Sequence, residues 1–266
     1  MEILVTGGCG YIGSALTLHL RAAGHVVVTI DYAGPDHGHA NVCEDYRDTS
    51  PDFFKYYDAV VHLAGHSSVS SAAADPTAAV DNNLTGLIEL LHSLDGIPLL
   101  WASSGSVLSP DGKSMYDATK RAAEAIVPIL YPNSYALRFG TVCGASPKMR
   151  WDLMLNKMSL DAKRYGIITV SNPEVCRPVL AMRDLCAAVT ALLKDNDPGV
   201  YNLASFNGTV DSYARVVAAS YGAEIGYIDS QPTYDFAMEC TEINGFPFPG
   251  ETVESVVADI NPPVPE

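Results

Sequence analysis

The chain has 266 residues, 48% of them hydrophobic, so it can bury a large core and does not belong to the disordered class. Asp and Glu outnumber Lys and Arg by 31 to 16, and the net charge of −15 argues against nucleic acid or an anionic membrane as a partner. Because the sequence shows no signal-peptide pattern, no long apolar run and no CxxC spacing, we expect a cytoplasmic protein with reduced cysteines.

Apolar runs alternate with helical patterns along the first half of the chain. EILVTG predicts a buried strand, YIGSALTLHLRAAGH a helix that ends near Gly24, and HVVVTID a second strand. DAVVHLAG, IPLLWASS and SYALRFG predict further strands, separated by helices at about 76–95 and in YDATKRAAEAIVPIL. Strands that alternate with helices predict an α/β fold of the Rossmann type, with a doubly wound parallel sheet.

The stretch TGGCGYIG lies between the first predicted strand and the first helix. Gly7 permits a tight turn, Gly10 lets the backbone approach a pyrophosphate, and Gly13 lets the helix pack closely against the strand. The phosphates would lie on the helix N-terminus, where free N–H groups and the helix dipole favour an anion. Asp31 ends the second strand, and no Arg or Lys follows it within ten residues. A carboxylate there accepts from the ribose hydroxyls and repels a 2′-phosphate, which predicts NAD rather than NADP.

Tyr116 and Lys120 are four residues apart in YDATK and therefore share one face of the predicted helix. They follow the strand IPLLWASS, at the sheet edge where doubly wound folds bind ligands, and Ser103–Ser106 lies at the same edge. A tyrosine with a pKa of about 10 is a poor base, but a nearby ammonium and an oxidised nicotinamide favour its phenolate. The phenolate can take a proton from a substrate hydroxyl while hydride leaves the same carbon.

These motifs resemble the short-chain dehydrogenase/reductase superfamily, in which TGGxGxxG follows the first strand. The resemblance implies that Ser104 is a catalytic hydroxyl, Tyr116 the proton acceptor and Lys120 a ligand of the nicotinamide ribose. EDYRD supplies an acid that resembles the adenine contact, VVHLAG resembles the segment that flanks the cofactor, and NNLTGLIELL resembles NVxGTxxLL. The implied cofactor contacts are Gly7, Gly10, Tyr11, Ile12, Gly13, Asp31, Asp45, Leu63, Ala64, Gly65, Asn83, Tyr116 and Lys120.

The rest of the chain is similar to the extended branch of that superfamily, the NAD-dependent epimerase/dehydratase family acting on nucleotide sugars. GYIGSAL resembles GFIGSHL, LRFGTVCG resembles LRxxNVYG, CRPVLAMRDLCAAV resembles xRDFVHVxDxAxAV, and YNLAS resembles YNVGS. The resemblance implies a nucleotide-diphosphate sugar as substrate, with Arg177 on the diphosphate and Asp184 as a helix-capping acid. Lys148 and Arg150 in PKMRW either bind phosphate beside Arg177 or are ordinary surface cations. The candidate substrate contacts are Ser104, Thr141, Lys148, Arg150 and Arg177.

The chain also departs from the family pattern. Thr141 stands where the family usually has Asn, Leu108 where it has Tyr, and Ala181 where it commonly has His. The segment between the catalytic Ser and Tyr and the C-terminal part are short, so we expect a more open pocket. We expect a NAD-binding domain of residues 1–146 plus about 175–204, and a small substrate-binding lobe of about 147–174 and 205–266.

The motifs leave three reactions open. A 4,6-dehydratase needs an acid pair directly after the catalytic hydroxyl, where this chain has Gly105 and Ser106. A keto-sugar reductase usually uses NADPH, which Asp31 disfavours. A 4-epimerase needs only the Ser, Tyr and Lys, tightly held NAD and room for the keto-sugar to rotate, so it is the predicted activity. A catalytically silent NAD-binding protein is a further alternative.

Two other features complete the predictions. The helices around residues 83–95 and 116–130 carry apolar residues on more than one face, and the resemblance implies that they pair into a homodimer interface. HGH, at His37–His39, lies near Asp36, Cys43 and Glu44 but lacks a fixed ligand spacing, so we expect a solvated loop at the adenine end and no metal site.

Overall fold

The computed structural model describes residues 1–32, 41–110, 112, 114–194 and 196–263, without the side chain of Asn41. The strands of this part are β1 (Glu2–Thr6), β2 (Val26–Ile30), β3 (Asn41–Val42), β4 (Ala59–His62), β5 (Leu99–Ser104), β6 (Ser134–Phe139), β7 (Thr141–Cys143), β8 (Ile167–Ser171), β9 (Cys176–Ala181), β10 (Gly199–Leu203), β11 (Phe206–Thr209) and β12 (Glu224–Ile228). The α-helices are α1 (Tyr11–Ala22), α2 (Val69–Ala74), α3 (Pro76–Val80), α4 (Gly86–Ser93), α5 (Met115–Leu130), α6 (Met154–Tyr165), α7 (Met182–Leu192), α8 (Val210–Tyr221) and α9 (Val253–Asp259).

A parallel sheet of seven strands forms the centre of the fold, in the order β10-β6-β5-β4-β1-β2-β3. Alternate residues of β1 point to opposite faces. Ile3 and Val5 belong to a buried cluster with residues of α1 and α7, whereas Leu4 belongs to a second cluster with residues of α4 and α5. Helices therefore cover both faces, which confirms the predicted Rossmann-type fold.

The helix predicted at about 76–95 is interrupted. α3 passes into a π-helical turn at Asp81–Thr85 before α4 begins. The side-chain amide of Asn82 donates to the Ala78 carbonyl oxygen at 2.8 Å, so a side chain binds an acceptor that a regular helix reserves for a backbone N–H. Such turns add a residue to the helix and often occur at functional sites. This one carries Asn83, which is buried.

The C-terminal third adds a second group of elements. β8 and β12 pair in a two-stranded parallel sheet, and residues of α6, α8 and α9 share a buried cluster with them. Residues 229–252 are mostly irregular, but they are anchored to the rest of the fold. The backbone N–H of Thr241 donates to the Asn202 carbonyl oxygen at 2.9 Å, and Met238 N–H donates to the Asn207 side chain at 2.9 Å. The division into two lobes at the bounds given above stays a prediction.

Two absences apply to the described residues alone. None of their helices is long and apolar enough to cross a membrane. Within the same residues, no group of three or more His, Cys, Asp and Glu side chains could hold a metal ion. His37 and His39 of the HGH motif lie outside the described residues.

Candidate active site

The carboxyl ends of the central strands meet along one edge of the sheet. The strand order reverses between β1 and β4, which end at Thr6 and His62. In open parallel sheets, the crevice at such a reversal is where ligands bind. Ser104 ends the next strand, β5, and Tyr116 lies in the first turn of α5. The fold therefore brings the glycine turn and the candidate catalytic residues to the same edge.

The glycine turn fits a dinucleotide because side chains are sterically excluded from it. Gly7 has φ of 72°, and a Cβ atom there would lie 2.8 Å from the backbone nitrogen of Ala64. A Cβ at Gly13 would lie 2.2 Å from the Gly7 carbonyl oxygen, which explains how α1 packs so close to the turn. Within the described chain, no side chain caps the N-terminus of α1 at Gly10. The first N–H groups of α1 are therefore suited to bind a pyrophosphate.

Tyr11 and Ile12 contribute to this turn through the backbone. The Tyr11 side chain is buried, and its hydroxyl donates to the Gly144 carbonyl oxygen at 2.8 Å. Ile12 packs against the buried cluster that α1 shares with α7. Both side chains therefore face the protein, and a cofactor contact from these two residues is expected from their N–H groups.

The two acids predicted to hold the adenosine lie at the same edge but in different surroundings. Asp31 accepts a hydrogen bond from the Cys9 backbone N–H at 3.0 Å, which ties the end of β2 to the glycine turn. Asp45 forms two hydrogen bonds with the Arg47 guanidinium, at 2.9 and 2.5 Å. These bonds hold the pKa of Asp45 below its ordinary value, although partial burial opposes them. Adenine binding by Asp45 would therefore compete with Arg47.

The segment after β4, with Leu63, Ala64 and Gly65, is fixed by buried polar groups. Thr6 Oγ1 lies 2.8 Å from His62 Nδ1 and accepts from the Ala64 N–H at 3.3 Å. Burial, and secondarily the charge of Lys120, lower the pKa of His62 to about 3, so this imidazole is neutral. The segment thus has a fixed backbone beside the glycine turn.

Asn83 braces the continuation of that segment. Its side-chain oxygen accepts from the His66 N–H at 2.8 Å, and its amide nitrogen donates to Thr119 Oγ1 at 3.2 Å. A Cβ atom at Gly65 would lie 2.6 Å from the Asn83 oxygen. Asn83 therefore connects the turn after β4 to α5, and its direct contact with the cofactor stays a prediction.

Ser104, Tyr116 and Lys120 lie together, as the sequence predicts. Tyr116 is half-buried and hydrogen-bonded to Ser104. Lys120 is buried; its Nζ donates to the Ala102 carbonyl oxygen at 2.7 Å and lies 5.9 Å from the centre of the Tyr116 ring. Burial lowers the pKa of Lys120 to about 8, and the charge of Glu124 partly opposes this.

The electrostatic surroundings of Tyr116 include a cation from outside the Tyr–Lys motif. Burial raises the pKa of Tyr116, and the charge of Asp117 adds to this, whereas the Ser104 hydrogen bond and the positive charge of Arg150 lower it. Arg150 reaches across from the segment before α6, where its guanidinium donates to Ser67 Oγ at 3.1 Å and pairs with Asp152. Arg150 is therefore positioned to stabilise a phenolate.

The other predicted substrate contacts are spread around this centre. Thr141 is half-buried on β7 and pairs with Val179 of β9. Lys148 lies exposed, and its backbone N–H donates to Ser146 Oγ at 3.2 Å. Binding of phosphate by this cation stays a prediction.

Arg177 is the cation most clearly prepared for an anion. One guanidinium nitrogen donates to Thr233 Oγ1 at 2.8 Å, and the group lies 5.7 Å from the centre of the Tyr234 ring. Its Nη1 is buried and has no hydrogen-bond partner among the described residues. A buried N–H donor without a partner is costly, and the phosphate oxygens of a ligand would remove that cost.

Sequence reasoning missed three residues at this edge. Asp117 is buried and accepts a hydrogen bond from Ser106. Its place three residues after Ser114 fits a capping box, and this spacing could have predicted from the sequence that its side chain is held at the start of α5. Tyr234 donates to Asp117 at 2.7 Å, and Met238 packs against Gly105. Both come from the irregular segment 229–252, in which no periodic pattern marks a site. The C-terminal segment therefore covers part of the edge at which a more open pocket was expected.

The fold and site define a dinucleotide-binding protein with the Ser–Tyr–Lys arrangement of the short-chain dehydrogenase/reductase superfamily. The profile of the NAD dependent epimerase/dehydratase family matches residues 3–204, and the chain belongs to this family. This confirms the resemblance and its implied dependence on NAD.

Three individual proteins that resemble this chain share less than a third of their residues with it over the aligned regions. UDP-glucuronate 4-epimerase 1 of Arabidopsis thaliana is 31% identical over 54% of this chain, which spans only 43% of that relative. Protein CapI of Staphylococcus aureus is 27% identical over 87% of each chain. The solved structure of Thermus thermophilus UDP-glucose 4-epimerase in complex with NAD has a TM-score of 0.80 at 23% identity, and the match covers 98% of both chains. At this identity the structural likeness supports the fold.

Asp31 should control the choice of cofactor. We expect NAD to bind at least ~10-fold more tightly than NADP, about 1.4 kcal/mol, because the carboxylate repels a 2′-phosphate. Asp31→Ser should narrow that ratio in titration calorimetry, whereas Asp48→Ser, which removes an exposed carboxylate, should preserve it. Equal affinity of the unaltered protein for both cofactors would contradict this assignment.

Burial of the charged Lys120 should lower the free energy of unfolding, by an amount that depends on pH. Its pKa of about 8 in the folded protein lies below the ordinary 10.5, so the penalty is complete below pH 8 and fades as the pH rises to 10.5. Lys120→Met should stabilise the protein at pH 7 by about 2 kcal/mol: about 3 from the pKa difference, less about 1 for the lost Ala102 hydrogen bond.

Urea unfolding at pH 7 and near pH 10 would measure this effect. The exposed control Lys55→Met should show no such gain, because the pKa of Lys55 is raised by its hydrogen bond to Asp52. A Lys120→Met variant that is less stable than the parent at pH 7 would show that the lysine is not under strain from burial.

Proposed function

We propose that this protein is a nucleotide-sugar 4-epimerase, which oxidises the sugar 4-hydroxyl to a ketone and reduces it again from the other face. The observation that carries the proposal is the hydrogen-bonded Ser104–Tyr116 pair above the buried Lys120, at the sheet edge beside the glycine turn. The set requires no further catalytic group for a reversible oxidation.

Each residue of the site has a role in the reaction that follows from its charge or its hydrogen bonds. Bound NAD supplies the acceptor and donor for the hydride of carbon 4. Tyr116 takes the proton of the 4-hydroxyl as the carbon is oxidised and returns it when the ketone is reduced. Arg150 and Lys120 place positive charge near the developing phenolate, and Ser104 hydrogen-bonds the reacting oxygen.

Side chains next to Ser104 favour this reaction over elimination of water. Gly105 provides no acid, and a Cβ atom there would already lie 3.2 Å from Met238 Sδ. The Ser106 hydroxyl donates to Asp117 and is itself no acid at neutral pH. Reduction by NADPH is disfavoured because Asp31 lies against the glycine turn.

Nη1 of Arg177, which has no hydrogen-bond partner within the described part of the chain, supports a sugar diphosphate as substrate. Relatives named for UDP-glucuronate and UDP-glucose make UDP-sugars the first class to test. GDP-, dTDP- and CDP-sugars complete the screen, with products identified by mass spectrometry and NMR.

Replacing the proton acceptor should abolish turnover and leave the fold intact. Tyr116→Phe should keep its melting temperature and bound NAD but lose roughly 10²–10⁴ in kcat, the usual worth of a positioned proton-transfer group. Tyr56→Phe, at an exposed tyrosine, is the matched control and should retain full activity. No free NADH should accumulate in the parent enzyme, and one NADH per turnover would instead indicate a dehydrogenase.

Removing the guanidinium should weaken substrate binding selectively. Arg177→Ala should raise KM for the active nucleotide sugar by at least ~10-fold, because a charge-assisted hydrogen bond to phosphate is worth about 1.5–3 kcal/mol. NAD affinity should not change. Arg183→Ala, which removes an exposed arginine paired with Asp259, is the control. An unchanged KM would remove Arg177 from the substrate site.

We propose in addition that the active form is a homodimer through α4 and α5. The exposed side of α5 carries Ala118, Ala125 and Ile129, and Ile129 is 80% exposed in the single chain. Light scattering at micromolar concentration should give twice the chain mass, and Ile129→Glu should shift the protein to monomer. A monomeric parent protein would contradict this assembly.

A further inference from the structure

A chain of hydrogen bonds leads from the catalytic centre to a buried carboxylate. Ser104 Oγ lies 2.8 Å from Ser106 Oγ, and Ser106 Oγ donates to Asp117 Oδ1 at 2.5 Å. Asp117 is fully buried on α5, directly after the catalytic tyrosine. Its other oxygen accepts from the Ser114 hydroxyl at 2.5 Å and from the Tyr234 hydroxyl at 2.7 Å.

The ionisation of Asp117 fixes the direction of this chain. Burial alone would raise the pKa of Asp117, but hydrogen bonds from three surrounding hydroxyl groups outweigh burial and hold it below its ordinary 3.8. An ionised carboxylate can accept hydrogen bonds but cannot donate them, so the single hydroxyl proton of Ser106 must be donated to Asp117. The proton between the two serines therefore belongs to Ser104. The lone pairs of Ser104 then accept from the Ser106 backbone N–H at 3.2 Å and, while Tyr116 is neutral, are left for its hydroxyl. Donation from Ser104 to the phenolate, which lowers the pKa of Tyr116, requires the Ser104 hydroxyl to turn away from Ser106.

We propose that Asp117 is a positioning residue, which acts through Ser106 to hold Ser104 as a hydrogen-bond acceptor toward the neutral Tyr116 hydroxyl. This inference rests on the proposed function, in which Tyr116 takes the proton of the sugar 4-hydroxyl. As that proton is transferred, the Ser104 hydroxyl turns away from Ser106 and donates to the reacting oxygen. Ser104 therefore has two orientations, and the carboxylate favours the one that keeps Tyr116 neutral until substrate is bound.

Asp117 is poorly suited to act as a base itself. Its pKa lies below 3.8, whereas burial raises the pKa of Tyr116 above 10, so a proton passed along the chain would return to the tyrosine. Asp117 and Tyr234 raise the pKa of Tyr116, and Arg150 lowers it. The Lys120 ammonium lies 5.9 Å from the ring centre. The carboxylate therefore opposes the phenolate until substrate and cofactor are in place.

Ser106→Ala separates the effect of the Ser104 hydroxyl orientation from that of the Asp117 charge, because the carboxylate stays in place. It removes the acceptor of the Ser104 proton, so that hydroxyl is free to donate to the Tyr116 phenolate, and the pKa of Tyr116 should fall. Asp117→Asn should act in the same direction, because it also removes a nearby negative charge. Ser114→Ala is the matched control. Ser114 caps α5 and donates to the same carboxylate, but it is not part of the hydrogen-bond chain to Ser104.

The test is a pH titration of the NAD-saturated protein, with phenolate absorbance recorded as the difference from the Tyr116→Phe variant. Ser106→Ala and Asp117→Asn should each move the Tyr116 transition to lower pH by roughly 0.5–1 pH unit, the worth of about one hydrogen bond. Ser114→Ala should leave the transition in place and lower the melting temperature by roughly 2–4 °C through loss of the helix cap.

The acid limb of kcat/KM for the active nucleotide sugar should move with the absorbance transition. An unmoved transition in Ser106→Ala would overturn the proposal, and this variant decides the matter if Asp117→Asn does not fold. A shift of equal size in Ser114→Ala would also overturn it, since the effect would then come from the helix as a whole. If the transition moves as expected but no nucleotide sugar is turned over, the proposed function fails and the positioning role stands.

Discussion

The contact between the glycine turn after β1 and the backbone after β4 is the constraint on which the site depends. A Cβ atom at Gly7 would lie 2.8 Å from the Ala64 nitrogen, so any side chain at Gly7 would collide with the backbone of the second turn. This contact lies where the strand order reverses and the crevice opens. Thr6 and Asn83 each accept a hydrogen bond from a backbone N–H of the second turn and so fix its position.

The catalytic residues beside these turns lie in surroundings that disfavour their charged forms. Lys120 is buried without a carboxylate bonded to its Nζ among the described residues, and its hydrogen bond goes to the Ala102 carbonyl oxygen. The nearby Glu124 is paired with Arg138, which neutralises much of its charge. Tyr116 is half-buried beside a carboxylate that disfavours its ionisation. Groups placed in this way are typical of sites where stability is given up for reactivity.

The sequence predicts what depends on local periodicity and on fixed spacing. The strands, the glycine turn and the one-turn separation of Tyr116 and Lys120 all follow from patterns within about fifteen residues. The contacts that shape the chemistry join distant parts of the chain. Arg150 reaches Ser67, and Tyr234 reaches Asp117 from an irregular segment, so neither pairing leaves a periodic signal. The π-helical turn escaped prediction because a single side-chain amide, that of Asn82, competes with the backbone for a carbonyl oxygen.

The measurement that tests the central claim most directly is the fate of the hydrogen on carbon 4. A nucleotide sugar deuterated at that carbon, incubated with the NAD-loaded protein, should give product with inverted configuration and the deuterium still on carbon 4. Retention would show that Tyr116 and its neighbours serve an oxidation and a reduction within one closed site. Transfer of the deuterium to free cofactor, with one cofactor reduced per turnover, would contradict the account.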